Sequence, residues 1–336
     1  MLSPVFARRG SFAIMKAAVI YPSSGSPAYV DLPAPVSGNE DELVVTVKAV
    51  AVKHLDRNRA SGKHYTQSAP SADARVIGGD GVCLLPDGTR VYAIGAGGML
   101  AEKAVVSRDR IVPLPEGIDD VTAAALPNAV IGAAMALRFK ADIRPGDVVL
   151  INGATGFTGR VAVQLARHYG AKKIIATGRN PQSLKELLLL GADEVVSVAH
   201  EDFQTRIAEA HAANPIDVII DYLWGHSAEL ILGCLKGNGS FTNRIRYVSV
   251  GSVTGDTIQL SAAVLRSIDL QLSGSGVGAW SRSQVRELFS VLLPEAFRLA
   301  VEGKLKIATT TAALKDIADR WNEPIPDGRR LVVTVS

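Results

Sequence analysis

Hydrophobic and polar positions divide the chain into two textures. From Met15 to about Leu114 the apolar runs are short and alternating, as in Glu42-Leu-Val-Val-Thr-Val-Lys48, and clusters of Gly, Pro, Asp and Ser separate them. Alternation with a period of two, bounded by turn residues, predicts mostly antiparallel strands. Pro113 and Pro115 close that part. After about Val121 the runs become continuous, at Val148 to Ile151, Lys173 to Thr177, Glu194 to Val198, Val218 to Asp221, Tyr247 to Gly251 and Leu270 to Gly274. Helical spacing fills the gaps between them, at Arg160 to Tyr169, Ser183 to Leu190, Phe203 to Ala213 and Ser227 to Leu235. Continuous apolar strands alternating with helices predict a parallel sheet covered on both faces. Six such strands complete a doubly wound α/β fold. From about Ala279 the chain holds one more predicted helix, Val285 to Val301, and short strand-like pieces. This tail is too short for a domain and is expected to pack back on the N-terminal part.

Composition narrows the class. The chain has 336 residues, 47% hydrophobic and 21% charged, which suits a soluble protein of about two domains with cores large enough to need no disulfide or metal. A net charge of +3 is too small to argue for nucleic acid or an anionic membrane, which leaves a small molecule as the expected partner. Cys83 and Cys234 are isolated, which fits a reducing cytoplasm and cannot supply a four-ligand structural zinc site. No apolar run approaches the ~18 residues that span a bilayer. Residues 1–14 carry Arg8 and Arg9 and no acid, without the long apolar stretch of a secretory signal. They are read as a disordered extension ahead of a natural start at Met15, with a short organelle-targeting segment as the alternative.

The chemistry gathers at a glycine turn. The strand Val148 to Ile151 runs into Gly153-Ala154-Thr155-Gly156-Phe157-Thr158-Gly159, and a helix follows at once. Glycines in this pattern allow a tight turn, close approach of backbone to a pyrophosphate, and close helix–strand contact, while the helix N-terminus supplies N–H groups and partial positive charge. Strand, turn, helix and second strand together predict dinucleotide binding; a plain structural turn is the alternative. A site for NAD usually places Asp or Glu ~20 residues on, at the ribose 2′-hydroxyl. Here the second strand ends Ala176-Thr177-Gly178-Arg179-Asn180, with no acid, and Arg179 lies twenty positions after Gly159. A guanidinium can bind a 2′-phosphate bidentately, so the predicted cofactor is NADPH; Lys185 is a lesser candidate for the same pocket.

The turn alone resembles that of extended short-chain dehydrogenases, which carry it at the start of the chain with a Tyr-x-x-x-Lys far downstream. About 150 residues precede it here, and Tyr169 with Lys173 match that spacing only by chance. The whole chain from Met15 resembles instead the medium-chain dehydrogenase/reductases, in their zinc-free quinone oxidoreductase-like branch. The resemblance rests on Lys48-Ala-Val-Ala-Val-Lys-His-Leu-Asp56, Val76-Ile-Gly-Gly-Asp-Gly-Val82, Ala124-Ala-Leu-Pro127, the glycine turn, Gly191-Ala-Asp193, Val218-Ile-Ile-Asp221 and Gly274-Ser-Gly276. It implies a GroES-like, mostly-β catalytic domain from residues 15–125 and 278–336, and a Rossmann domain with a six-stranded parallel sheet at 126–277. It also implies a homodimer, through the edge strand near Leu270.

Zinc-dependent relatives carry a Cys ligand and a Gly-His-Glu where this chain has Lys53-His54 and Gly79-Asp80-Gly81. The resemblance therefore implies no metal. Without a Lewis acid, reduction of a quinone or an activated C=C is easier than alcohol oxidation. In the quinone reductase branch an Asn-x-x-Asp pair lines the nicotinamide cleft; here it reads Lys53-x-x-Asp56. Lys53 either donates to a developing oxyanion or pairs with Asp56 and shapes the cleft. Two tyrosines of that branch are replaced by Asn58 and His64, with Tyr65 one place later, and His64 and Tyr65 become candidate proton donors. Family position also puts Asn128 and Gly132 near the nicotinamide. Gly251-Ser252 and Gly274-Ser275-Gly276 follow strands five and six, at the carboxyl ends where such sheets hold ligands, and are expected to face the nicotinamide half. Arg329 or Arg330 is expected either to reach the cofactor or to lie on the surface. The function implied is NADPH-dependent reduction of quinones or α,β-unsaturated carbonyls. The alternatives are a non-catalytic NADPH-binding sensor or structural protein and, less favoured, an alcohol dehydrogenase.

Overall fold

The structure is a computed structural model and describes residues 13–22, 24–61, 73–237, 239, 242–326 and 328–336. The chain divides into two compact units, one of Met1–Pro127, Phe289–Val301 and Ala308–Ser336, the other of Asn128–Leu288 and Glu302–Ile307. The second unit extends past residue 277, where the sequence reading drew its line.

The first unit is mostly β. Strands β1 (Ile14–Ile20), β2 (Ala28–Pro33) and β4 (Arg75–Val76) form a small antiparallel sheet, and β3 (Glu42–Val52), β5 (Asp80–Leu84), β6 (Arg90–Gly95) and β7 (Lys103–Pro113) form a larger one in which β3 pairs with both β5 and β7. Alternating residues of these strands, among them Val45, Val47, Cys83, Val91 and Val106, make its core. A short helix α1 (His54–Ala60) follows β3 directly.

The second unit is the doubly wound sheet. Its strands β8 (Val148–Asn152), β9 (Lys173–Gly178), β10 (Glu194–Ser197), β11 (Val218–Asp221), β12 (Ile245–Ser249) and β13 (Leu270–Gly274) are all parallel and lie in the order β10-β9-β8-β11-β12-β13. Order reverses beside β8, the switch point at which such sheets bind ligands. Every residue of β8 and β11 is buried, as their unbroken apolar runs require. β12 begins two residues earlier than its apolar run suggested, because Ile245 already pairs with Leu270. Gly251 lies beyond the strand, where its N–H donates to the Asp221 carbonyl.

The tail returns to the first unit. β15 (Arg329–Thr334) pairs antiparallel with β3, Leu331 opposite Val52, and β14 (Ala308–Ala313) adds in parallel outside it. The predicted helix over Val285 to Val301 is instead Arg282–Glu287, a wider turn at Leu288–Leu292, and Leu293–Val301.

One helix was hidden by its proline. α2 (Asp120–Met135) carries Pro127 inside and runs on through a wider turn to Lys140. By length and composition the segment Asp120–Lys140 is apolar enough to cross a membrane, with mean hydropathy 1.4, which corrects the expectation that no segment approaches that length. Of its most apolar 18-residue stretch 67% is buried inside the protein, as in a core helix.

Candidate functional site

The glycine turn joins β8 to α3 (Phe157–His168). Gly153 has φ +84°, a left-handed conformation that side chains disfavour. Gly156 is the extended N-cap of α3, whose first turn presents backbone N–H groups and the positive end of the helix dipole. A Cβ on Gly159 would stand 2.6 Å from both the Ala154 Cα and the Gly153 carbonyl oxygen, so only glycine lets the helix start this close to the turn. Ala154 and Phe157 are buried beneath it; Thr155 and Thr158 are half-buried. A cradle that a side chain would fill, lined by helix N–H groups, fits a pyrophosphate.

β9 ends at the buried Gly178, and the exposed Arg179 follows. Asn180 then caps α4 (Pro181–Leu189), its Oδ1 accepting from the Ser183 N–H at 3.0 Å. Lys185 is exposed on α4. The glycine turn, Arg179, Gly251, Ser252, Gly274, Ser275 and Gly276 all lie at or just beyond the carboxyl ends of strands in one sheet. Ser275 donates its N–H to the Ser249 carbonyl at 2.8 Å, and its Oγ accepts from Trp280 Nε1 at 3.1 Å. In α2, Asn128 is half-buried, and one turn on the Gly132 carbonyl accepts from Tyr222 Oη at 3.3 Å. Tyr169 and Lys173 do not form a catalytic pair: Tyr169 terminates α3 and Lys173 is ion-paired with Glu194 at 2.8 Å.

Beneath the turn lies a buried polar network absent from the sequence reading. Asn152, Thr177 and Asp221 are each 0% exposed. Asp221 accepts from Asn152 Nδ2 at 2.8 Å and from Tyr247 Oη at 2.6 Å, and Asn152 Nδ2 also donates to Ser227 Oγ at 2.9 Å. The available signal was polarity, since Asn152, Thr177 and Asp221 each interrupt an apolar strand at its carboxyl end.

In the first unit, Lys53 and Asp56 come together as half of the sequence reading expected. Lys53 is the N-cap of α1; its N–H donates to Asp56 Oδ2 at 2.9 Å and its Nζ lies 3.3 Å from the same carboxylate. The ammonium also contacts Asp80 closely, and the other Asp80 oxygen accepts from Tyr92 Oη at 2.8 Å. Strand register builds this group: Ala49 faces Val82 and Val82 faces Tyr92, while Leu331 faces Val52 and so brings Arg330 alongside. Lys53 is 1% exposed, Asp56 6% and Arg330 6%, so Arg330 is a buried residue rather than a surface one. Burial pulls the Lys53 ammonium down, but the carboxylates of Asp56 and Asp80 outweigh it and hold Lys53 above its ordinary value. Burial raises Asp56 above the usual carboxylate range, with Lys53 opposing. Burial pulls the Arg330 guanidinium down to about 10, which leaves it charged at neutral pH. An ammonium engaged by two carboxylates is a pairing cation rather than a ready donor. His64 and Tyr65 lie outside the described residues.

Burial also pushes the Cys83 thiol up to about 12 and the Cys234 thiol up to about 11, so neither is a nucleophile at neutral pH. Among the described residues no three His, Cys, Asp or Glu side chains gather as a metal site.

Comparison with known proteins agrees with this geometry. The family model described as zinc-binding dehydrogenase matches residues 158–293. A probable NADPH-dependent quinone reductase from Emericella nidulans is 28% identical, over 93% of this chain and 97% of its own. Quinone oxidoreductase 1 of Escherichia coli is 26% identical over 88% of each chain. The crystal structure of the quinone oxidoreductase from Thermus thermophilus, solved also in complex with NADPH, superimposes with a TM-score of 0.75 at 29% identity, covering 95% of this chain and 100% of that one. Fold and matches together define an oxidoreductase built of a GroES-like and a Rossmann unit. The chain is similar along most of its length to medium-chain dehydrogenase/reductases of the quinone oxidoreductase-like branch.

Proposed function

We propose that this protein is an NADPH-dependent, zinc-independent reductase of quinones or α,β-unsaturated carbonyl compounds. The observation that carries the cofactor choice is the end of β9, where the exposed Arg179, and no acid, follows Gly178. A carboxylate there would repel a 2′-phosphate, whereas a guanidinium binds one with two parallel hydrogen bonds. The names of the Emericella and Thermus relatives support the same reading.

Residues 153–159 would hold the pyrophosphate, Arg179 the 2′-phosphate, and Asn128, Gly251, Ser252 and Gly274 to Gly276 the nicotinamide half. Bound NADPH supplies a hydride. The chain's own part is to bind and orient: the α3 N-terminus offsets the pyrophosphate charge, and the loops after β12 and β13 offer backbone groups at the nicotinamide end. The proton that completes reduction comes from water or from His64 or Tyr65, since the Lys53 ammonium is held by Asp56 and Asp80. Replacing Arg179 with Asp should weaken NADPH binding about ten- to hundredfold, the scale of lost charged hydrogen bonds, and leave NADH binding nearly unchanged. Equal affinities of wild type and variant for NADPH would refute the 2′-phosphate reading.

A screen of NADPH oxidation over quinones, enones and aldehydes tests the reaction itself. The locked Lys53, standing where the branch has Asn, favours one second reading, a non-catalytic NADPH-binding protein. That reading predicts tight NADPH binding with no turnover of any of these classes. We also infer a homodimer in a reducing compartment; β13 is an edge strand of the sheet, with Leu272 on it 39% exposed and Val277 in the turn beyond it 64% exposed, which supports it. Sedimentation as a monomer would remove that inference.

A further inference from the structure

Asp221 is a fully buried carboxylate that makes no ion pair among the described residues. Neutral donors satisfy it instead. Its Oδ1 accepts from Asn152 Nδ2 at 2.8 Å, the Leu223 N–H at 2.8 Å and the Trp224 N–H at 3.1 Å, while its Oδ2 accepts from Tyr247 Oη at 2.6 Å. A buried charge without a cation is costly, and three donors converging on one oxygen fix their own groups in space.

Two of those donors begin routes that end on the same residue. Along the first, Asn152 Oδ1 accepts from Thr177 Oγ1 at 2.7 Å, and Thr177 Oγ1 accepts from the Gly153 N–H at 3.1 Å. Along the second, the grip on Leu223 and Trp224 folds the connection from β11 to the helix Gly225–Cys234 so sharply that Trp224 takes φ 58° and ψ −156°. Such a conformation persists only where the surroundings impose it. Thr254 braces the fold from the other side, its N–H donating to the Leu223 carbonyl at 2.9 Å. The Leu223 side chain is thereby pressed onto Gly153, where a Cβ would meet its Cγ at 2.8 Å.

We propose that Asp221 is a positioning residue for dinucleotide binding, holding Gly153 through its N–H on one side and through Leu223 on the other. The inference rests on the reading of residues 153–159 as a dinucleotide cradle. Gly153 opens that turn, so its placement sets where the following N–H groups point. Tyr247 belongs to the same network but bonds the other carboxylate oxygen, Oδ2, and lies on neither route to Gly153.

That difference supplies the test. Thr177→Val removes the hydroxyl on the first route, Leu223→Ala removes the wedge of the second, and Tyr247→Phe removes a hydroxyl on neither. NADPH affinity is measured by fluorescence titration and Tm by thermal melting for each. All three variants should melt lower. Thr177→Val and Leu223→Ala should each raise the NADPH Kd about tenfold, the scale of one lost hydrogen bond or contact, while Tyr247→Phe leaves it little changed and Thr177→Ser restores it. Asp221→Ser should raise Kd beyond either; if it does not fold, the single-route variants decide alone. Kd unaffected in Thr177→Val and Leu223→Ala, or shifted as much in Tyr247→Phe, overturns the proposal and leaves the cradle reading standing. Wild-type protein that binds no dinucleotide overturns both.

Discussion

Replacing Lys53 with methionine is expected to destabilise the protein by about 3–5 kcal/mol, the cost of removing one partner from a buried ion pair. The expectation follows from what the change leaves behind. Methionine fills much of the space, but Asp56 and Asp80 lose their shared cation in a site where Lys53 is 1% exposed. Both carboxylates then depend on Arg330, the Lys53 N–H and Tyr92 Oη, which were arranged around the ammonium. Truncating Lys16, whose pair with Asp31 lies in solvent, should change stability little. Denaturant unfolding of the two variants beside wild type measures the contrast. Pairing Lys53→Met with Asp80→Asn should recover part of the loss, because one orphaned charge goes with it. If Lys53→Met unfolds at the wild-type midpoint, the cluster is not holding β3, β5 and α1 together.

The two sites differ in how far they could be read from sequence. The glycine turn is local: strand, glycines and helix are consecutive, and each residue's role follows from backbone sterics alone. The parallel sheet was likewise legible, since strands buried on both faces must be continuously apolar. The cluster around Lys53 was half legible. Asp56 lies three positions on, within one helical turn, but Asp80, Tyr92 and Arg330 arrive through the pairing of β3 with β5, β5 with β6 and β15 with β3. Register of that kind has no local signature, and Tyr92 reads simply as an apolar strand position. α2 was missed for a different reason. Its residues Ala123 to Leu126, Ala129, Val130 and Ala133 to Leu137 are buried all around, so no polar face marks a helical period, and Pro127 reads as a break. The helix continues because the ring removes one backbone bond while close packing on every side keeps the rest.

Replacing Gly159 with alanine should nearly abolish dinucleotide binding. The added Cβ would meet the Ala154 Cα and the Gly153 carbonyl oxygen at 2.6 Å and the Ala154 carbonyl carbon at 2.8 Å. All three are backbone atoms of the turn itself, so no side chain can swing aside. Either α3 moves outward or residues 153–154 move, and both shift the N–H groups that line the cradle. Overpacking of this kind costs about 1–3 kcal/mol. Taken up wholly by the turn, that corresponds to an affinity loss of roughly 10- to 100-fold, and any rotation of the N–H groups away from a pyrophosphate adds to it. A useful contrast is Gly25, where a Cβ meets nothing within 4 Å; Gly25→Ala should bind NADPH as wild type does. Fluorescence titration of both variants, with melting temperatures beside them, separates a distorted cradle from an unfolded unit. A Gly159→Ala protein that melts lower yet binds NADPH with wild-type affinity would show that close helix–turn contact serves packing alone, and the pyrophosphate would have to be held elsewhere.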